Sequence, residues 1–173
     1  MEIRTERLLI RPLNPDDTDS ICSFAMDREY INMMVFFPKL SREEVSEFIL
    51  SAVSESEKAC PDYYEFAVML GEKMIGIVSM YFEGHYDRGE LGWLISREYR
   101  GRGFALEAAR GLMELFAKEK GLRRFIAQCD SQNEASKRVI KKLGMTFVEV
   151  HGGRKNRCSD DERLEELYDT ILL

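Results

Sequence analysis

The segment from Glu90 to Asp130 constrains the fold more than any other part of this sequence. It begins with an apolar strand pattern, GELGWLI at residues 89–95, and ends with a second one, RRFIAQCD at residues 123–130. Between them, apolar residues at helical spacing predict a helix that begins near Phe104 and ends at Gly121. A strand, a helix and a strand of this length predict a right-handed parallel crossover.

The flanking segments place this crossover in a mixed α/β layer fold. The other predicted elements are a strand at Arg7–Leu13, helices after Asn14 and after Ser41, a β-hairpin at Tyr63–Phe82, a short helix after Asn133, a strand at 145–150 and a last strand at 168–173. Ser41 and Glu44 have the spacing of a capping box. The predicted order is β-α-α-β-β-β-α-β-α-β-β. At 173 residues, we expect one domain spanning residues 1–173.

Composition excludes several classes of function. The formal net charge of −6 gives no support for nucleic-acid binding. The N-terminus alternates charged and apolar residues, so we expect no membrane span and a cytoplasmic protein. The four cysteines form no CxxC pair and the only histidines are His85 and His151, so we expect neither a metal site nor a disulfide framework.

The segment Asp27–Leu40 is rich in Met and Phe but has no clear periodicity. It can be a loop or short helix that packs onto the core, or it can form one wall of a binding groove.

Arginines and glycines alternate at residues 100–103, directly before the predicted helix. The first amides of a helix lack internal partners and carry the positive end of its dipole, so they bind phosphate well. Glycines let the backbone approach an anion closely, and the arginines add charge. A surface turn made soluble by arginine is the alternative. A dinucleotide fingerprint would need a small residue where Leu106 stands, and no GK[ST] follows for a P-loop.

The segment REYRGRGFALEA resembles the acetyl-CoA pyrophosphate loop, Q/R-x-x-G-x-G/A, of the GNAT superfamily of N-acetyltransferases. NEASKRVIKKLGMTF, Asn133 to Phe147, resembles the second cofactor segment of that superfamily in its N-x-x-S form. TERLLIRPL and GELGWLI are similar to the subgroup of ribosomal-protein N-terminal acetyltransferases. The resemblance covers nearly the whole chain in the same order.

The resemblance implies a GNAT-like acyl-CoA N-acyltransferase fold in which the strands at Glu90–Ile95 and Arg124–Cys129 diverge. The pantetheine arm of acetyl-CoA, the co-substrate, would lie in the gap. The implied cofactor contacts are Ile95, Arg100, Gly101, Arg102, Gly103, Phe104, Ala105 and Asn133. Asn133 can also be a simple helix N-cap, and both roles are compatible.

The implied chemistry is attack of an amine on a thioester. Most amines are protonated at neutral pH, so a base must remove a proton, and the leaving thiolate benefits from a hydrogen-bond donor. The resemblance implies that Glu90 is the base, usually through water, and that Ser136 is the donor, with Tyr168 as the weaker candidate. A solvated charge at a strand end is the structural alternative for Glu90.

The acceptor groove is implied to lie between Asp27–Leu40 and roughly residues 152–168. The implied substrate-binding residues are Met33, Phe36, Phe37 and Tyr168. A protein N-terminus, a polyamine and an amino-bearing antibiotic fit this groove equally well. A non-catalytic acetyl-CoA-binding module and a protein-interaction domain stay open as alternatives, as does the oligomeric state, with a homodimer one option.

Overall fold

A computed structural model describes residues 1–29, 31–37, 39–83 and 86–172. Its strands are β1 (Ile3–Arg4), β2 (Leu9–Pro12), β3 (Tyr63–Leu70), β4 (Lys73–Glu83), β5 (Arg88–Ile95), β6 (Arg124–Asp130), β7 (Thr146–Lys155) and β8 (Glu162–Ile171). Its helices are α1 (Thr18–Ala25), α2 (Arg42–Ser56), α3 (Phe104–Lys120) and α4 (Glu134–Lys142). Tyr30, Pro38, Gly84, His85 and Leu173 lie outside the described residues.

All the described strands belong to one mixed sheet with the order β1-β2-β3-β4-β5-β6-β8-β7. β5 and β6 are parallel and are joined by α3, which confirms the predicted crossover. The helix ends where predicted, because Gly121 adopts a left-handed conformation (φ 68°) and its N–H donates to the carbonyl of Phe116. The hairpin predicted at Tyr63–Phe82 is β3 and β4.

The structure differs from the predicted order at the two ends of the sheet. β1 was not predicted, because two residues carry no periodicity; it forms by pairing with β2. β7 and β8 extend well beyond the predicted segments, because residues 162–167 pair with β7 and β6 despite their polar composition. The Ser41 hydroxyl accepts from the N–H of Glu44 as predicted, while the Glu44 carboxylate accepts from the N–H of Leu40, one residue before Ser41.

Two hydrophobic cores lie on opposite faces of the sheet, because successive strand residues point to opposite sides. The α3-side core contains Tyr64, Phe66 and Val68 of β3, packed against α3 and α4. The α2-side core contains Ala67 of β3, packed against apolar residues of α1 and α2. No helix in the described part of the chain is long and apolar enough to cross a membrane.

Candidate active site

The parallel pair β5–β6 separates after three residue pairs. The last pair joins Glu90 to Ile126; beyond it, the described residues of β5 pair with β4 alone. A cleft of about 730 Å³ opens between the diverging strands, lined by residues of β5 and by Gln128 and Cys129 of β6. This divergence is the one implied by the resemblance.

One end of the cleft is the glycine corner, Arg100–Ala105, at the start of α3. Gly101 (φ 74°) and Gly103 (φ 83°) adopt left-handed conformations that favour glycine. Gly103 is the N-cap of α3, so the amides of the first helical turn after it have no partner within the helix. The corner therefore turns the first-turn amides of α3 and the positive end of its dipole toward the cleft.

Arg7 supports the glycine corner from outside, which the sequence did not indicate. Its guanidinium bonds the Glu107 carboxylate (Nε to Oε2, 2.7 Å) and the carbonyl of Arg102 (3.1 Å). It also lies 4.5 Å from the centre of the Phe104 ring. These contacts fix the turn between β5 and α3.

The opposite wall of the cleft is the N-terminus of α4. Asn133 caps this helix, because its side-chain oxygen accepts from the N–H of Ser136 at 3.1 Å. Asn133 and Ser136 both line the cleft, together with two cations of α4 and its C-terminal end, Arg138 and Lys142. Asn133 is therefore the N-cap of α4, as predicted. The N-terminus of α4 faces the cleft.

Glu90 lies at the point where β5 and β6 separate. It is half-buried, and its Oε2 accepts from Nε2 of Gln128 at 3.2 Å. Burial raises the pKa of Glu90, the hydrogen bond from Gln128 lowers it, and the charge of Glu165 raises it further, with a net rise. A carboxyl with a raised pKa is suited to take up a proton near neutral pH.

The structure brings some of the predicted site residues together in the cleft and leaves others outside it. Those that line the cleft are Met33, Ile95, Arg100, Gly101, Gly103, Phe104, Ala105, Asn133 and Ser136. Glu90, Arg102, Phe36, Phe37 and Tyr168 are not among the described residues that line it.

Three of the predicted substrate-binding residues have other surroundings. Phe36 is 63% exposed, whereas Phe37 is 7% exposed and packs edge-on against Phe48 in the α2-side core. Tyr168 is 4% exposed, and its hydroxyl donates to Glu166. The segment Asp27–Leu40 serves both predicted purposes, since Ile31 and Phe37 pack in the core while residues 31–34 line the cleft.

The sequence reasoning missed Glu65, whose carboxylate is buried in the middle of β3. The hydroxyls of Ser79 and Tyr81 donate to it. A charged residue inside the apolar run YYEFAVML was the available signal.

Comparisons with known proteins agree with this geometry. Residues 7–146 match the acetyltransferase (GNAT) domain. The chain is 31% identical to the uncharacterized N-acetyltransferase YnaD of Bacillus subtilis, over 99% of this chain and 97% of YnaD. A GNAT acetyltransferase structure from Bacillus anthracis superposes with a TM-score of 0.84 at 24% identity, over 99% of this chain and 98% of that one. RimL, a ribosomal L7/L12 alpha-N-protein acetyltransferase solved with coenzyme A, superposes with a TM-score of 0.90 at 16% identity, over 99% and 98%. The chain therefore belongs to the GNAT family of acetyl-CoA-dependent N-acetyltransferases.

Proposed function

We propose that this protein transfers an acetyl group from acetyl-CoA to a primary amine, by direct attack of the amine while both substrates are bound. One observation carries the proposal: a single cleft joins the glycine corner, the gap between β5 and β6, and Ser136. The proposal treats residues 1–173 as one domain, because all the described strands belong to one sheet.

The glycine corner fits the pyrophosphate of acetyl-CoA. The amides from Arg100 to Ala105 would hold the phosphates, and the positive φ angles of Gly101 and Gly103 curl the backbone around them. Arg102 adds positive charge at the rim, where its guanidinium lies 5.6 Å from the centre of the Tyr99 ring. Arg138 and Lys142 across the cleft add further charge for the nucleotide phosphate.

The gap between β5 and β6 fits the pantetheine arm. The backbone of β5 near Ile95 faces the cleft and would bond that arm as an added strand does. Asn133 would contact the arm from the other side. Acetyl-CoA supplies an electrophilic thioester, and a backbone N–H of β5 would polarise its carbonyl.

Two side chains would handle the protons. Glu90 accepts a proton from the amine, directly or through water, and its raised pKa suits this role. Ser136, at the positive end of α4, donates to the sulfur as the thiolate leaves. Tyr168 is the weaker candidate for this role, because its hydroxyl is already bonded to Glu166.

The acceptor would approach from the face that carries α1 and α2. There, β7 and the β7–β8 loop are both tied to the segment after α1. The N–H of Arg157 in the loop donates to the Met34 carbonyl (2.9 Å), and the side chain of Arg154 on β7 donates to that of Met33 (2.8 Å). Met33 makes this wall partly apolar, while Glu90 and Glu165 attract a cation. Among the three acceptor classes, a peptide N-terminus is supported by the likeness to RimL, which acts on ribosomal protein L7/L12.

The test is release of CoA from acetyl-CoA across a panel of amines: an N-terminal serine peptide, spermidine and an aminoglycoside. Mass spectrometry then locates the acetyl group, and a reaction without amine measures background hydrolysis. We expect amine-dependent release and an acetylated primary amine. Acetyl-CoA binding without release across the panel would instead indicate a non-catalytic binding module, and protein partners without cofactor affinity would indicate an interaction domain.

A further inference from the structure

Glu65 on β3 is 5% exposed, and the next two residues of the strand, Phe66 and Ala67, belong to the α3-side and α2-side cores. A buried carboxylate is costly unless other groups satisfy its oxygens. The Tyr81 hydroxyl donates to Oε1 at 2.5 Å, and the Ser79 hydroxyl donates to Oε2. Both donors are neutral, and no cation among the described residues forms an ion pair with Glu65, so hydroxyls solvate its charge.

Glu65 belongs to a row of polar groups that crosses the sheet on one face. Glu65 on β3 stands opposite Ser79 on β4, and Tyr81 on β4 stands opposite Glu90 on β5. Directly opposed side chains of antiparallel strands lie within contact distance of each other. Tyr81 therefore stands between Glu65, to which it is bonded, and the proposed base Glu90.

The cleft reaches this row at Gly92. A Cβ built on Gly92 would lie 3.4 Å from Cβ of Ser79 and 3.8 Å from Cε2 of Tyr81, and Gly92 itself lines the cleft. Any larger residue at this position would cover the Tyr81 ring. Glycine therefore leaves the half-buried Tyr81 ring uncovered beside the cleft, whereas Ser79 is 7% exposed; neither residue is among the described residues that line the cleft.

The reaction has two protons to remove from nitrogen. A primary ammonium carries three protons, and the amide product keeps one. Of the two protons that leave the nitrogen, one ends on the CoA sulfur and the other is released to solvent. A site with a single carboxylate would have to take up both in succession.

We propose that Tyr81 is a further catalytic residue, which takes one of these protons from the amine and passes its own hydroxyl proton to Glu65. This rests on the proposed function. Glu90 takes the other proton. The nitrogen–hydrogen bond breaks as the Tyr81 oxygen gains that hydrogen, and the original Tyr81 hydrogen ends on Oε1 of Glu65. No other reactant is consumed: the proton on Glu65 returns to solvent through Tyr81 when the product leaves, and the proton on Glu90 replaces the one that Ser136 gives to the CoA sulfur.

The electrostatics around Glu65 support this role. Burial raises the pKa of Glu65, while the hydrogen bonds from Ser79 and Tyr81 and the charge of Lys39 lower it. Burial is the largest effect, so the pKa rises to about 7. A proton acceptor works best when its pKa lies near the working pH. Among the described residues, other charged or titratable groups near this face include Glu44 and Arg157 beside Lys39, Arg11 paired with Asp17, and Tyr63 stacked on Tyr81. Glu90 also lies here, and the charges of Glu165, Glu83 and Arg88 act on it.

The test compares pH profiles of kcat/KM for Tyr81→Phe and Glu65→Gln, with the amine of the panel that the wild-type protein acetylates fastest. We expect each variant to lose about 100-fold at pH 7, at the lower end of what a positioned proton acceptor contributes. The double variant should lose no more than either single one, because the two residues act as a unit. Ser79→Ala should move the acid limb of the profile to higher pH, since it removes a hydrogen bond that lowers the pKa of Glu65.

Tyr63→Phe is the matched control, because it removes a tyrosine hydroxyl from the ring stacked on Tyr81 at 5.7 Å without touching Glu65. Its profile should match that of the wild-type protein, and circular dichroism checks that every variant is folded. Full activity of Tyr81→Phe at pH 7, or losses that multiply in the double variant, would overturn the relay while leaving acetyl transfer intact. A wild-type protein that releases no CoA with any amine would overturn both proposals.

Discussion

Replacing Glu65 by Gln should change how stability depends on pH. Burial raises the pKa of Glu65 from its ordinary 4.5 to about 7 in the folded protein. Between these two values the folded chain binds more protons than the unfolded chain, so the free energy of unfolding falls as pH rises through this window. Above pH 7 this loss of unfolding free energy is complete, and below pH 4.5 there is no loss.

The magnitude follows from the size of the pKa change. Each pKa unit corresponds to about 1.4 kcal/mol, so the full rise corresponds to about 3 kcal/mol, most of which falls between pH 5 and pH 8. Glutamine cannot ionise and loses nothing in this window. The difference in unfolding free energy between Glu65→Gln and the wild-type protein should therefore shift by about 2 to 3 kcal/mol in favour of the variant from pH 5 to pH 8.

Urea denaturation at several pH values measures this difference, with the fluorescence of Trp93, the single tryptophan, as the probe. Glu134→Gln is the control, because Glu134 is exposed and its pKa is lowered by Lys137, so its titration lies below the window. Its curve should run parallel to that of the wild-type protein from pH 5 to pH 8. If the curve of Glu65→Gln also runs parallel to that of the wild-type protein, burial does not raise the pKa of Glu65.

Three further substitutions test other parts of the structure. Glu90→Gln should lower turnover near neutral pH, and the loss of turnover should be smaller at high pH, where free amine is abundant. An unchanged pH–rate profile would show that Glu90 is not the base. Ser136→Ala should lower kcat about 10- to 100-fold while calorimetry finds acetyl-CoA affinity retained, whereas an unchanged kcat would remove Ser136 from the mechanism. Gly76→Ala should destabilise the fold by about 3 kcal/mol. The reason is that a Cβ at position 76 would lie 2.3 Å from the backbone oxygen of Leu94. If Gly76→Ala is as stable in urea as the wild-type protein, β4 and β5 can move apart to make room.

The central crossover was predictable because its signals are local. Apolar spacing, Gly121 at the end of α3 and the glycines of the corner each act within a few residues, and the structure places them as the sequence indicates. The cap at Asn133 was predictable for the same reason, since its partner Ser136 is three residues away. Local patterns therefore located the end of the cleft that we propose holds the cofactor.

Other parts of the candidate site depend on contacts between residues far apart in sequence. Arg7 meets Glu107 across 100 residues, and no local pattern encodes that pair. Glu65 meets Tyr81 through strand register, which pairs residues across the β3–β4 hairpin. The adjacent residues Phe36 and Phe37 lie in opposite environments, because an aperiodic loop gives no rule for which side chain faces the core. These are the parts of the site that only the folded structure reveals.

Calorimetry of acetyl-CoA binding to Gly103→Glu tests most directly the central claim, that the start of α3 holds the pyrophosphate. The substitution puts a carboxylate where the phosphates would lie and forces a positive φ on a non-glycine residue. Gly121→Glu is the matched control, since it imposes the same charge and strain about 25 Å away at the other end of α3. We predict that Gly103→Glu abolishes binding while Gly121→Glu retains it, both remaining folded by circular dichroism; wild-type affinity in folded Gly103→Glu would contradict the account.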